Sequence, residues 1–301
     1  MNVALNPYDL TARSEAALAA LLLADRVWTV MPSPQRAPSA VDIGRAAMDE
    51  PAFAELLNAW SWAMPLFSAG IASGAGDVAQ DMLAAIRGML GVIEQNDRFA
   101  SVRPFMHQAL AEPDEVYLRA FCGDLLRSGA DPAMALPVSA GIDAAAADYG
   151  LLVVRGEACS HATRLEQGMI RELTRVAVPF LSQAGGQRLL AARADLEPSL
   201  DAFRDAVNGW RVGEIRDASQ QLTEAFDTIE AELCRPTDAD EPRVLRGQAV
   251  VTFGELSADA VLRAGAAAAS AVVGGPPGAH GVHSDTLLVR TMVVRRLGAR
   301  R

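Results

Sequence analysis

Apolar positions recur at helical spacing along most of this chain, and the punctuation between them is that of helix ends. "SEAALAALLLADRVW" predicts a first helix, with Ser14 as its N-cap and Glu15 in the first turn. A proline-rich connector, Met31 to Ser39, separates it from "DEPAFAELLNAWSWAM", where Pro51 suits a first turn and Pro65 ends the pattern. Val78, Met82, Ile86, Met89 and Ile93 mark another helix. "PDEVYLRAFCGDLLRSG" has start and stop signals at both ends, Pro113 and Gly129. "DPAMALPVSAGIDAAAADYG" follows the same grammar, with Asp131 as cap and Gly150 as stop.

"LLVVR" (151–155) reads as a short strand or an extended connector. From about Glu157 the spacing of Ala158, Leu165, Met169, Leu173 and Val176 predicts a long helix, interrupted at Pro179 and Gly185-Gly186. "VGEIRDASQQLTEAFDTIEAELC" is the cleanest amphipathic segment, with a stripe of Ile215, Leu222, Phe226, Ile229 and Leu233. That stripe wants a partner, the preceding helix or another copy of the chain. After the acidic, proline-bounded stretch at 236–242, "VLRGQAVVTF" and "TLLVRTMVV" look like strands around an alanine-rich helix. The expected architecture is therefore mainly α: a multi-helix domain of antiparallel helices over 1–235, a linker, and a small mixed α/β segment at 243–301.

Composition narrows the function classes. All 27 basic residues are arginine, so no Schiff-base lysine and no P-loop lysine exists. The net charge of −10 disfavours nucleic acid and anionic membranes as partners. The C-terminal "RTMVVRRLGARR" reads as a solvated end. Three scattered cysteines suggest no disulfide framework, and the first apolar run is too short for a membrane span, so a cytoplasmic protein is expected.

The stretch "SAGIASGAGDVAQDM" spaces its glycines like a phosphate loop, but a dinucleotide cradle needs a strand before them, and the preceding residues read as helix. Asp77 and Asp81 also place negative charge at the start of the following helix, where a phosphate would sit. A joint before a capped helix is the better account. In "GEACSHATRLEQ", Glu157 and His161 are four apart, so on a helix Glu157 could orient His161 as a base. Arg164, Arg171 and Arg175 share a rough helical face suited to a carboxylate or phosphate ligand. His280, His283 and Asp285 lie within one glycine-rich loop and are candidate metal ligands. No cofactor is called for.

Two function classes follow. One is a non-catalytic scaffold, adaptor or accessory protein working through protein contacts, including self-association through the Ile215–Leu233 stripe. The alternative is an enzyme or small-ligand-binding protein with its site among the long helices around Glu157, His161 and Arg171.

Overall fold

The computed structural model describes residues 1–32, 50–95, 97–100, 103, 114–156, 168–235, 244–257, 262 and 288–297. Its centre is a seven-stranded mixed sheet, which overturns the expectation of a mainly α bundle with a small α/β segment. The strands are β1 (Asn2–Leu5), β2 (Arg26–Trp28), β3 (Ala72–Ser73), β4 (Leu152–Arg155), β5 (Arg171–Ser182), β6 (Leu245–Ser257) and β7 (Leu288–Arg296). They lie in the order β3-β2-β1-β4-β7-β6-β5. β1, β2, β3, β4 and β7 run parallel, whereas β6 is antiparallel to both β7 and β5.

The two strands beyond the acidic linker are thus no appendage. β7 lies against β4, pairing Val153 with Thr291, and β6 closes onto β5 along eleven residue pairs. The solvated C-terminal end is corrected too: Thr291 to Val294 are buried in β7.

Around the sheet, among the described residues, are α1 (Pro7–Thr11), α2 (Glu15–Leu23), α3 (Pro51–Ala59), α4 (Met64–Ser68), α5 (Asp77–Gln95), α6 (Asp114–Leu126), α7 (Pro132–Asp148), α8 (Gly186–Asn208) and α9 (Val212–Leu233). Their ends match the local signals. Ser14 caps α2 through Ala17 N–H, Pro51 opens α3, and Gly129 and Gly150 take left-handed φ of 75° and 64°. α2 and α7 each touch β1, β4 and β7, and β4 is buried along its whole length. The central strands are therefore covered on both faces, which is why "LLVV" is continuously apolar and does not alternate.

The helix expected from Glu157 through Val176 is corrected over 171–182, which is strand β5. Thr174, Val176 and Val178 point inward while Arg175 and Ala177 face solvent, a period of two. Pro179, read as a helix kink, is tolerated because β5 is an edge strand and a proline there leaves no ladder bond unmade on its open side. Most of the Ile215–Leu233 stripe is buried inside the chain, with Ile215, Leu222 and Phe226 at 0% exposure where α9 packs on α8 and β5, and Ile229 half-buried against the same core. The glycine stretch is preceded by helix α4, as expected, but the two-residue β3 lies inside it, after Gly70 and before Gly74, and the stretch joins that sheet edge to α5. Gly76, at φ 89°, makes the turn.

α2 is the most enclosed of the described helices. Eight of its nine residues are buried, and its carboxyl end finishes inside the core. Two buried arginines of α8 meet it there. Arg193 Nη1 donates to the carbonyls of Leu21 (2.9 Å), Leu22 (3.1 Å) and Ala24 (2.6 Å), and Arg204 Nε donates to Leu23 (2.8 Å). The carbonyls a helix end leaves unpaired are satisfied by two guanidiniums whose charge also suits the negative end of the dipole.

Candidate functional site

In an open sheet with parallel strands, the crevice forms where the strand order reverses, because the connections leaving the two neighbouring strands diverge to opposite faces. Here β1 lies between β2 and β4, so the reversal falls between β1 and β4, and their carboxyl ends are Leu5-Asn6 and Arg155-Gly156. After β1 the chain turns at once into the polar start of α1.

Asn6 is the N-cap of α1. Its Oδ1 accepts from Tyr8 N–H at 3.1 Å, and its amide donates to Ser139 Oγ of α7 at 3.1 Å, which ties β1 to the helix behind β4. Pro7 at the first helical position fixes the turn and places Asp9 in that same short helix. Ser14 then serves two elements: its hydroxyl caps α2 and donates to Asp9 Oδ1 at 2.7 Å. From the other strand, Gly156 donates its backbone N–H to the same carboxylate. A Cβ at Gly156 would stand 2.3 Å from Asp9 Oδ1, so only glycine allows this approach. Next to it Arg155 is buried, its Nη2 bonding both oxygens of Asp143 at 2.7 Å.

The electrostatics are those of a carboxyl held in partial competition. Burial pushes Asp9 up from 3.8 to about 6, against the Ser14 hydroxyl, the Gly156 N–H and the Arg155 charge, which pull it down; Glu15 adds to the rise. Near neutral pH such a group exchanges its proton readily, and it can accept hydrogen bonds from a hydroxyl or amine. A second network lies alongside: Tyr8 Oη donates to the fully buried Asp124 at 2.6 Å, and Asp131 N–H donates to its other oxygen at 2.8 Å. Burial raises the Asp124 pKa as well.

The residues singled out from sequence fare differently. Glu157, His161 and Arg164 lie outside the described residues, as do His280, His283 and Asp285. Arg171 and Arg175 are exposed on β5 at the edge of the sheet, and Arg175 pairs with Glu172 at 2.6 Å. The structure brings neither to Asp9. Among the described residues no group of three or more His, Cys, Asp or Glu could hold a metal ion, and no helix is long and apolar enough to cross a membrane. Burial pushes the Cys122 thiol up to about 12, so it is a poor nucleophile.

Asp9, Arg155 and Asp143 drew no notice in the sequence. The available signal was "NVALNPYD": a short apolar run, then a cap, a proline and an acid, which is strand-turn-helix grammar. Comparison with protein-family models, with curated proteins and with solved structures finds no match to this chain.

Proposed function

We propose that this protein binds a small polar molecule at the carboxyl edge of its sheet, between β1 and β4, and that Asp9 is the group that shares a proton or hydrogen bond with it. A ligand bearing a hydroxyl or amine suits an acceptor of this kind. One observation carries the proposal: at the point where the strand order reverses, a half-buried carboxyl is held by Ser14 and Gly156, groups from two separate segments of the chain. This keeps the small-ligand class expected from sequence but moves its centre from the 157–175 region to the β1–β4 crevice. Self-association through Ile215–Leu233 loses its footing, because those side chains face the interior.

The test is a thermal-shift screen of nucleosides, sugars and amino alcohols with the full chain, followed by titration of each hit against Asp9→Asn. The expected hit binds saturably, is lost or much weakened in Asp9→Asn, and weakens in the parent as the pH falls below about 6. Hits whose affinity ignores both Asp9→Asn and pH would refute the assignment.

A further inference from the structure

The opposite edge of the sheet, where the parallel strands begin, holds a cavity of about 200 Å3. Asn2 and Leu152 enter it from the starts of β1 and β4, Arg290 from β7, Asn208 and Trp210 from the α8–α9 turn, and Tyr149 from the end of α7. Trp210 is set unusually. Its φ of 54° is left-handed, a conformation bulky side chains avoid. The turn enforces it through Trp210 N–H to Val207 O at 2.9 Å and Arg211 N–H to Ala206 O at 3.1 Å. The ring meets Phe253 edge-on at 6.2 Å, so its position is fixed from the core side. Strain of this kind gathers at ligand sites, where it holds a side chain ready.

Arg290 lies over that ring, its guanidinium carbon 4.9 Å from the ring centre. Contact with the ring holds the guanidinium at the cavity, and a guanidinium beside an aromatic ring keeps a planar fork of N–H donors. Those donors are the fork that takes a carboxylate in two parallel bonds. Among the described residues Arg290 makes no ion pair, although Glu255 is its register partner on β6. On the other side of the cavity stands Tyr149. Tyr149 donates its hydroxyl to Asp81, and that bond, with the nearby charges of Asp81, Asp77 and Asp148, raises the phenol pKa. A ligand with one negative charge can sit against Arg290, whereas a second charge would add repulsion from the Asp81 carboxylate that Tyr149 holds.

We propose that this cavity is a binding site for a small planar monocarboxylate, its carboxylate on Arg290 and its body along Trp210, with the Asn2 and Asn208 amides at the rim. The site is separate from the β1–β4 crevice and does not depend on Asp9. Benzoate and inorganic phosphate are the probes, titrated into the full chain and followed by calorimetry and by the indole resonances of the tryptophans in nuclear magnetic resonance. Benzoate is expected to bind saturably and to shift one indole signal, the one that disappears in Trp210→Phe. Arg290→Gln should weaken it roughly tenfold or more, as for a lost bond to a charged group. Arg290→Lys keeps the charge but not the fork and should fall between the two, while Asp9→Asn should bind as the parent does. The proposal is overturned if benzoate causes no saturable change, if Arg290→Gln binds it as tightly, or if phosphate binds as well as benzoate.

Discussion

Replacing Arg193 by methionine removes one guanidinium from the buried end of α2 and keeps most of the aliphatic stem. Three carbonyls, those of Leu21, Leu22 and Ala24, then lose their donor at a site that water does not reach. A hydrogen bond from a charged donor contributes about 1.5–3 kcal/mol, and a buried acceptor left bare costs about 1–3 kcal/mol. Three such losses do not add in full, because Arg193 is itself expensive to bury: its pKa is pulled down to about 10, first by desolvation and then by Arg204. Removing the cation recovers part of that cost. The net expectation is a loss of about 2–4 kcal/mol, which for a chain of this size lowers Tm by roughly 3–6 °C. Urea unfolding followed by circular dichroism measures it, with the exposed Arg26→Met as control, expected within about 0.5 kcal/mol of the parent. An Arg193→Met variant as stable as that control would refute the account of how α2 is capped.

Asp9 makes stability depend on pH in a definite direction. Its folded pKa, about 6, lies above the ordinary 3.8, so the folded protein holds the proton more tightly, and stability falls as pH rises between those values and is level above them. Asp9→Asn is therefore expected to be more stable than the parent at neutral pH and to lose that advantage below pH 3.8; parallel curves for the two proteins across that window would count against a raised carboxyl. Gly141→Ala tests the crossing of α5 and α7, where a Cβ would lie 2.5 Å from both Cα and N of Ile86. Backbone cannot yield as a side-chain tip does, so a loss of about 1–3 kcal/mol is expected in urea unfolding. A neutral Gly141→Ala would mean that the two helices do not touch there.

What was legible in the sequence is what the chain decides locally. Capping Ser14, first-turn Pro51 and Pro132, and the left-handed glycines at 129 and 150 act within one turn of backbone, so α2, α3, α6 and α7 could be read from a few residues each. The amphipathic face of α9 was legible too, but not what would cover it. Its partners are α8 and the strand β5, and β5 had itself been read as helix. There the apolar positions fit both periods: Met169, Leu173 and Val176 suit a helix, while Thr174, Val176 and Val178 suit a strand.

The sheet was decided by tertiary structure, because a strand is stabilised by partners that the neighbouring sequence does not contain. β1 is four residues long, and its ladder bonds come from β2 and from β4, about 150 residues further on. β4 in turn pairs with β7, more than 130 residues beyond it. Once those distant segments met, both faces of the central strands were closed by helices, and the reversal of order between β1 and β4 brought Gly156 against Asp9. Residue types alone marked Asp9 as one acid among 37. Its raised pKa comes from burial and from groups that only the fold places beside it.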